Sequence, residues 1–295
     1  MTAAEQGFLL LGCALGDASA KPLTGPQLRE LSKWVNAMGK PSREGSLTMW
    51  DLQQIGCSKE FSQRVLRLLS RKEQLQSYLK NAAKKGCEPV TRISLEYPAS
   101  LRKKLGLDAP GVLWLRGNRD ILNMPAVSLV GSRDLQISNR RFAAEVGRQA
   151  AKQGYALVSG NARGADRLAQ DSCLENGGYV ISVVADALEA HSPASHILYI
   201  ARDGYNEAFT GIRALQRNLI IHAMGEKTFV AGAQLGKGGT WSGTRENLQK
   251  HLSPVFCYAD GSDAATELSQ MGAVPVGVPE LSDMKALQPT IQSFL

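Results

Sequence analysis

The sequence of residues 156–166 is ALVSGNARGAD. It starts with a short apolar run, Ala156–Ser159, and continues through a loop that contains Gly160 and Gly164 into a helical pattern that begins at Ala165. A strand that passes through such a loop into a helix is typical of anion-binding turns in parallel α/β sheets, because the helix N-terminus offers free N–H groups and a partial positive charge. The stretch therefore predicts a β-α unit with a phosphate site at its turn.

Strand and helix patterns alternate on both sides of this stretch, from Met124 onwards. Short apolar strands separated by helical patterns of about 10–15 residues predict an α/β fold with a doubly wound, parallel, Rossmann-like sheet. The predicted strands are Ala126–Val130, Ala156–Ser159, Tyr179–Val184, Thr228–Gly232 and Val255–Tyr258. The predicted helices are Asn139–Gln153, Ala165–Glu175, Gly211–Met224, Thr244–His251 and Ala264–Met271.

The N-terminal part of the chain predicts helices instead of strands. We expect a buried first helix over Phe8–Ala20, a second over Leu28–Met38, where apolar positions recur at helical spacing, and a charged helix over Lys72–Lys85. Between them, Trp50–Leu69 contains an apolar-Gly-apolar turn and resembles a helix-hairpin-helix or SAM-like element. In such a turn the N–H groups that start the second helix can meet a DNA phosphate, and a plain helical turn is the alternative.

Positive charge is concentrated towards the N-terminus. The chain has a formal net charge of +7, and residues 1–120 contain 19 Lys and Arg against 11 Asp and Glu. This asymmetry is typical of a phosphate-contacting module attached to a neutral core, although solvated basic helix faces also produce it. We therefore predict two domains, a basic helical module over residues 1–90 and a Rossmann-like phosphate- or nucleic-acid-binding domain over residues 91–295.

Composition argues against membrane, disulfide and metal-dependent classes. No apolar run reaches the roughly 18 residues of a membrane helix. The five cysteines never pair as Cys-x-x-Cys, so we expect small buried thiols and a reducing, cytoplasmic setting. The four histidines are dispersed, and no nucleophile elbow occurs. No catalytic residue, no metal site and no cofactor are predicted.

Two further glycine-containing loops at predicted strand ends carry groups that suit phosphate. Gly131-Ser132-Arg133 combines a glycine that admits close approach, a hydroxyl that donates a hydrogen bond and an arginine with a planar fork. Residues 236–244, with the sequence GKGGTWSGT, form a glycine- and hydroxyl-rich turn before a helix, without the Walker order of residues. Because parallel strands end at one edge of their sheet, we expect the three loops to form one anion site.

These loops resemble a known family. Gly131-Ser132-Arg133 followed by residues 159–166 is similar to the "GSR … SGxARGxD" pair of the DprA/Smf DNA-processing family, and Gln216–Ile221 resembles its "RNRII" helix. Gly238–Thr240 stands where the family has Ser-Gly-Ser, and the resemblance extends over Tyr97–Tyr258.

The resemblance implies a non-enzymatic, homodimeric protein that binds single-stranded DNA through its phosphates and transfers it to a RecA-type recombinase. Within it, Arg133, Arg163 and Arg217 match phosphate contacts. The full set of candidate phosphate- or nucleic-acid-binding residues is Gly131, Ser132, Arg133, Ser159, Gly160, Arg163, Gly164, Asp166, Arg217, Asn218, Gly238, Gly239, Thr240 and Ser242.

The chain departs from the family pattern near the expected site. Leu219 replaces the second arginine of "RNRII", and Ala185-Asp186-Ala187 replaces a Gly-x-Gly loop, which brings a carboxylate close to the phosphate loops. Asp186 could pair with a cleft arginine, hold a ribose hydroxyl or a divalent cation, or turn outward and cap the turn at Leu188–Ala190.

Other function classes remain open. A nucleotide-metabolite sensor would use the same phosphate loops. Residues 238–247 are also loosely similar to the "GGxGTxxE" loop of lysine-decarboxylase-like phosphoribohydrolases, in which a glutamate assists N-glycosidic cleavage. Here Asn247 takes that position, and Glu246 beside it is turned away by roughly 100° on a helix. A scaffold that recruits a recombinase or nuclease would leave the cleft unused.

Overall fold

The apolar strands form a mostly parallel sheet, as their pattern predicts. The computed structural model describes residues 1–17, 19–38 and 46–289. In this part of the chain the strands are β1 (Cys87–Thr91), β2 (Val112–Gly117), β3 (Ala126–Val130), β4 (Ala156–Ser159), β5 (Tyr179–Val183), β6 (Ile197–Arg202), β7 (Thr228–Val230), β8 (Val255–Tyr258) and β9 (Val274–Val276). Their order across the sheet is β1-β2-β6-β5-β4-β3-β7-β8-β9.

The sheet is doubly wound around β3. From β3 the chain adds β4, β5 and β6 on one side and then β7, β8 and β9 on the other, all as parallel neighbours. The edge strand β2 runs antiparallel to both β1 and β6. The predicted α/β fold with a doubly wound Rossmann-like sheet is confirmed. Its topological switch point lies between β3 and β7, where ligands of open α/β sheets bind.

Helices cover both faces of this sheet and form the N-terminal part. They are α1 (Ala3–Gly12), α2 (Gly25–Met38), α3 (Met49–Gln54), α4 (Lys59–Leu69), α5 (Lys72–Lys84), α6 (Ala99–Leu105), α7 (Ile137–Lys152), α8 (Ala165–Glu175), α9 (Gly211–Met224), α10 (Gly238–Lys250) and α11 (Asp263–Gln270). Each face of the sheet has its own buried apolar cluster. Helices α7 and α8 pack on one face, and α6 and α9 pack on the other.

The predicted strands differ from the structure in extent and number. β5 ends one residue and β7 two residues earlier than predicted. β2 matches the apolar run before the Gly-Asn turn at residues 117–118, whereas β1, β6 and β9 were not predicted as strands. Only a short 3-10 turn at Leu188–Ala190 separates β5 from β6, and β9 has three residues including Pro275. A proline is tolerated there because β9 is an edge strand.

The first helix begins and ends earlier than predicted. A buried helix was expected over Phe8–Ala20, but α1 ends at Gly12, because Leu15 and Gly16 both have positive φ angles of 58° and 77°. Thr2 caps its N-terminus. Residue 18 of the predicted helix lies outside the described residues.

The N-terminal helices belong to two different cores. Helices α2, α3 and α4 bury their own apolar cluster, in which α3 and α4 meet at the predicted glycine turn and Ser58 caps α4. Helices α1 and α5 instead pack on the sheet, where Tyr78 of α5 contacts Trp114 of β2 and Tyr205. The division into residues 1–90 and 91–295 stays a prediction, and residues 39–45 and 290–295 of those ranges are not described.

All five cysteines are buried and unpaired within the described structure, which confirms the expectation of small buried thiols. None of the described helices combines the length and the apolar character that a membrane crossing needs. The four described histidines and the acidic and thiol groups likewise form no cluster of three or more potential metal ligands in the described part.

Close packing of α7 on α8 gives a stability prediction. A Cβ at Gly147 of α7 would overlap the carbonyl oxygen of Ala169 in α8, whereas a Cβ at Gly7 of α1 would meet open space. Gly147→Ala should therefore lower the free energy of unfolding by roughly 1–3 kcal/mol, because overpacking outweighs the helix propensity of alanine. Gly7→Ala should raise it by about 0.5–1 kcal/mol. Urea denaturation of both variants checks this, and equal effects would contradict it.

Candidate functional site

A cleft of about 870 Å³ opens at the switch point between β3 and β7. It is lined by the segment that follows β3, by the N-terminal turns of α9 and α10, and by Ala162 and Asp166 at the start of α8. Ten of the fourteen candidate residues line it: Gly131, Ser132, Arg133, Asp166, Arg217, Asn218, Gly238, Gly239, Thr240 and Ser242. The other four, Ser159, Gly160, Arg163 and Gly164, are not part of the lining.

The first loop is held against α8 by glycine contacts. A Cβ at Gly131 would overlap the Cβ of Ala165, and a Cβ at Gly164 would overlap the carbonyl oxygen of Arg133. Gly164 also has a positive φ of 87°, which glycine adopts readily. The backbone N–H of Ala165 donates to the carbonyl oxygen of Ser132 at 3.3 Å. These contacts place the start of α8 beside Arg133, whose side chain is exposed at the cleft.

The second loop supports the cleft from behind. The hydroxyl of Ser159 is fully buried and accepts a hydrogen bond from the side chain of Gln170 at 2.7 Å, so it faces the core. Arg163 is exposed outside the cleft lining. Asn161 has a positive φ of 60°, a conformation that asparagine tolerates. This loop therefore shapes the cleft, and its predicted role in binding stays a prediction.

Arg217 of α9 forms the floor of the cleft. Its side chain crosses the backbone of Gly160, where any Cβ would overlap the guanidinium, and Nη1 donates to the carbonyl oxygen of Val183 at 3.1 Å. The residue is only 9% exposed, and its buried Nε has no hydrogen-bond partner among the described residues. Burial lowers the pKa of Arg217, and the nearby carboxylates of Asp166 and Asp186 oppose that shift.

Asp166 is the buried counter-charge of Arg217. Its Oδ2 lies 3.9 Å from Nη1 of Arg217 and accepts a hydrogen bond from the backbone N–H of Ala162 at 3.2 Å. Burial raises the pKa of Asp166 to about 6, although Arg217, the backbone N–H groups and Arg133 all favour the ionised form. Desolvation therefore outweighs attraction for both partners of this pair.

The third loop is the start of a helix. The predicted helix over Thr244–His251 in fact begins at Gly238, so Gly238–Ser242 form the first turn of α10. The prediction placed a loop there because glycines disfavour helices. In the structure, Gly239 and Gly243 face Asn218 of α9, where a Cβ would be crowded at 3.2–3.3 Å. The side chain of Asn218 also donates to the carbonyl oxygen of Gly239 at 3.0 Å, which holds the two helices together.

Asp186 pairs with a histidine. Its Oδ1 lies 2.9 Å from Nε2 of His191, and Nδ1 of His191 lies 3.3 Å from the side-chain nitrogen of Asn161 in the second loop. In the described structure Asp186 therefore hydrogen-bonds His191 and not the backbone of the turn at Leu188–Ala190, whose N-cap residue is Ala187. The spacing of five residues between Asp186 and His191 was the only sequence signal of this pair.

The residues that resembled a phosphoribohydrolase lie away from the cleft. Asn247 is fully buried and accepts a hydrogen bond from the backbone N–H of Ser253 at 2.9 Å. Glu246 forms an ion pair with Lys250 at 2.9 Å. Neither residue lines the cleft. This geometry does not favour N-glycosidic cleavage by the glutamate of that motif.

Sequence reasoning missed an apolar rim. Phe209, Ile212 and Leu215 line the cleft and are 57%, 70% and 51% exposed. Lys237, which precedes α10, adds a positive charge to the same lining. The signal was weak, because the rim residues follow ordinary helical spacing that also suits a core-facing surface.

The family of the chain follows from its sequence match. The model of the DNA recombination-mediator protein A family matches residues 88–276, well over half of the chain. The chain belongs to this family. It is 32% identical over 181 residues to DNA processing protein DprA of Streptococcus pneumoniae, a segment that covers 56% of this chain and 63% of that protein. The matched segments cover 42–63% of the length of the curated relatives.

Solved structures show the same fold. DNA processing protein A from Streptococcus pneumoniae superposes with a TM-score of 0.75 at 24% identity, covering 98% of this chain and all of that one. The Helicobacter pylori protein of the same name gives a TM-score of 0.57 at 22% identity, covering 67% of this chain and 94% of that one. The predicted DprA/Smf membership is confirmed by the family-model match, and these structures confirm the fold.

The pKa of Asp166 predicts how stability depends on pH. Its pKa in the folded protein is about 6, above the ordinary value of 3.8. The free energy of unfolding is therefore higher below about pH 4, where Asp166 is protonated in both states, and it falls as pH rises through about 6. Asp166→Asn should therefore raise the free energy of unfolding at neutral pH by at most about 3 kcal/mol, and the gain should vanish near about pH 4.

Denaturation of Asp166→Asn beside Asp171→Asn, an exposed carboxylate on the same helix, checks this. The control should change stability by less than about 0.5 kcal/mol. An Asp166→Asn variant less stable than the parent at neutral pH would show that attraction to Arg217 outweighs burial.

Proposed function

We propose that the chain binds single-stranded DNA through its phosphates in the cleft at the β3–β7 switch point, in DNA processing or recombination and without catalysis. The observation that carries this proposal is the guanidinium of Arg217. It is nine-tenths buried at the floor of the cleft, and Nε lacks a partner among the described residues. A buried cation with an unsatisfied donor is costly unless an anion contacts it, and the planar fork of arginine suits phosphate.

Helix termini favour an anion at the same place. The first residues of α9 and α10, Gly211 and Gly238–Thr240, line the cleft, and Ala162 with Asp166 brings the start of α8 to it. Free N–H groups and partial positive charge at these ends attract phosphate. Arg133 and Lys237 add full positive charges at the opening.

The apolar rim favours a nucleic-acid strand over a bare anion. Phe209, Ile212 and Leu215 stand beside the phosphate-binding groups, where they can contact nucleobases of any sequence. A free nucleotide would use the same two features, and the binding assay below separates it from DNA.

The relatives support the same function. The Helicobacter pylori protein has a single-stranded DNA binding mode, and the Streptococcus pneumoniae relative is a DNA processing protein. Homodimer formation, transfer of DNA to a RecA-type recombinase and a cytoplasmic location belong to the same proposal and rest on the family resemblance alone.

Binding of a thymidine oligonucleotide tests the cleft. Arg133→Ala and Arg217→Met should each weaken binding roughly tenfold or more, because each loses a charge-assisted contact with phosphate. Arg167→Ala, an exposed arginine on α8 outside the cleft lining, is the matched control and should bind like the parent. Fluorescence anisotropy over a salt series should give a log–log slope of about −0.7 per phosphate contacted.

Absence of oligonucleotide binding would contradict the proposal. Thermal stabilisation by a free nucleotide, without binding of the oligonucleotide, would instead favour the nucleotide-sensor function. Equal weakening by Arg133→Ala and Arg167→Ala would show that DNA binds elsewhere on the basic surface.

The basic N-terminal helices make a separate prediction. Truncation at residue 90 would expose the core that α1 and α5 share with the sheet, so charge substitution is the better test. Lys72, Lys80 and Lys84 are exposed on α5. If this surface contacts DNA backbone, replacing all three with glutamine should reduce the salt slope by up to about 0.7 for each lost contact. An unchanged slope would confine the phosphate contacts to the cleft.

A further inference from the structure

The floor of the cleft carries two buried charges of opposite sign. Asp166 is 6% exposed and Arg217 is 9% exposed, and both line the cleft. Their nearest charged atoms are 3.9 Å apart, beyond hydrogen-bond distance, and the guanidinium has a direct hydrogen bond to the carbonyl oxygen of Val183. The carboxylate therefore lies near the arginine as a counter-charge but forms no bidentate hydrogen bonds with it.

We propose that the cleft binds a phosphodiester anion together with one proton, and that Asp166 takes up this proton. The inference deepens the proposed function, on which it rests. An entering phosphate would approach the same guanidinium that Asp166 neutralises, and two anions around one buried cation repel each other. Protonation of Asp166 removes that repulsion and leaves Arg217 free to pair with the phosphate.

The groups around Asp166 leave few other sites that could take up this proton. Arg217 of α9 and Arg133 after β3 face it as permanent cations, and backbone N–H groups of Gly160 and Ala162 donate to it. Beyond Arg217 stands Asp186, paired with His191. The other charged residues of the lining are Asp134 and Lys237, both exposed. Histidine is the residue type that most often carries protons near neutral pH, so a variant of His191 is the control.

Burial brings the titration of Asp166 into the accessible range. Its pKa of about 6 means that a nearby phosphate, which raises this pKa further, causes proton uptake close to neutral pH. Affinity should therefore increase as pH falls from about 8 towards about 6, by at most about tenfold per pH unit for one proton. It should level off below about pH 6, where the free protein already carries the proton.

The experiment uses the full chain and a thymidine oligonucleotide, whose phosphodiesters and bases do not titrate in this range. Anisotropy at constant ionic strength measures the dissociation constant across the pH series. Calorimetry in two buffers that differ in their heat of ionisation measures protons taken up per binding event. The parent chain should bind roughly 20- to 50-fold more tightly at about pH 6 than at about pH 8 and take up close to one proton at pH 7.

Asp166→Asn keeps an oxygen that accepts the hydrogen bond from Ala162 and removes the titration. It should bind tightly at every pH and take up no proton. His191→Gln should keep the pH dependence of the parent. If Asp166→Asn fails to fold, calorimetry of the parent and of His191→Gln still decides the question, because both should show the same proton uptake.

The outcomes separate the two proposals. Binding without proton uptake in the parent overturns this inference and leaves the proposed function intact. Proton uptake that disappears in His191→Gln assigns the proton to His191 and also overturns it. Loss of oligonucleotide binding at every pH overturns the proposed function and this inference together.

Discussion

The guanidinium of Arg217 lies directly over the backbone of Gly160, and the cleft is arranged around that contact. A Cβ at position 160 would overlap the guanidinium, and along this path Nη1 reaches the carbonyl oxygen of Val183 at the end of β5. Gly131 and Gly164 have the same role, since the first lies against Ala165 and the second against the backbone of Arg133. The cleft therefore depends on loops whose backbones lie in close contact with neighbouring groups, and glycine is needed where a Cβ would prevent that contact.

The same contact has an energetic consequence. A buried arginine and a buried aspartate at 3.9 Å do not offset their own desolvation, as the pKa shifts of both groups indicate. Well-packed apolar side chains of similar volume at these two positions would stabilise the fold at least as well. Their position at the floor of an open cleft suits the proposed binding of an anion, because the charge is fixed in place before the ligand arrives.

Two departures from the family pattern have local explanations. Leu219, which stands where the resemblance has a second arginine, packs against the core beneath α9. Asp186, which stands at the middle, variable position of the Gly-x-Gly loop, forms a hydrogen bond with His191 and acts on Arg217 only as a longer-range charge. Neither change removes Arg133 or Arg217 from the cleft, so both candidate phosphate contacts remain there.

Local sequence patterns were sufficient for five strands of the parallel sheet, β3, β4, β5, β7 and β8, and for the segments that surround the cleft. Hydrophobic periodicity is a local property, and so is the preference of glycine for a strand-to-helix turn. The predicted start of α10 was wrong because the low helix propensity of glycine was outweighed by a tertiary contact. Asn218 of α9 contacts the glycine-rich first turn of α10, which begins at Gly238.

The tertiary structure alone decided what the candidate residues do. It turned Ser159 towards Gln170, buried Arg217 beside Asp166, and joined Asp186 to His191. It also gathered Phe209, Ile212 and Leu215 at the rim. Arg217 and Asp166 are 51 positions apart in the chain. Their pairing, burial and shifted pKa values depend on how α8 and α9 meet across the sheet, because desolvation is set by all the surrounding atoms and not by sequence neighbours.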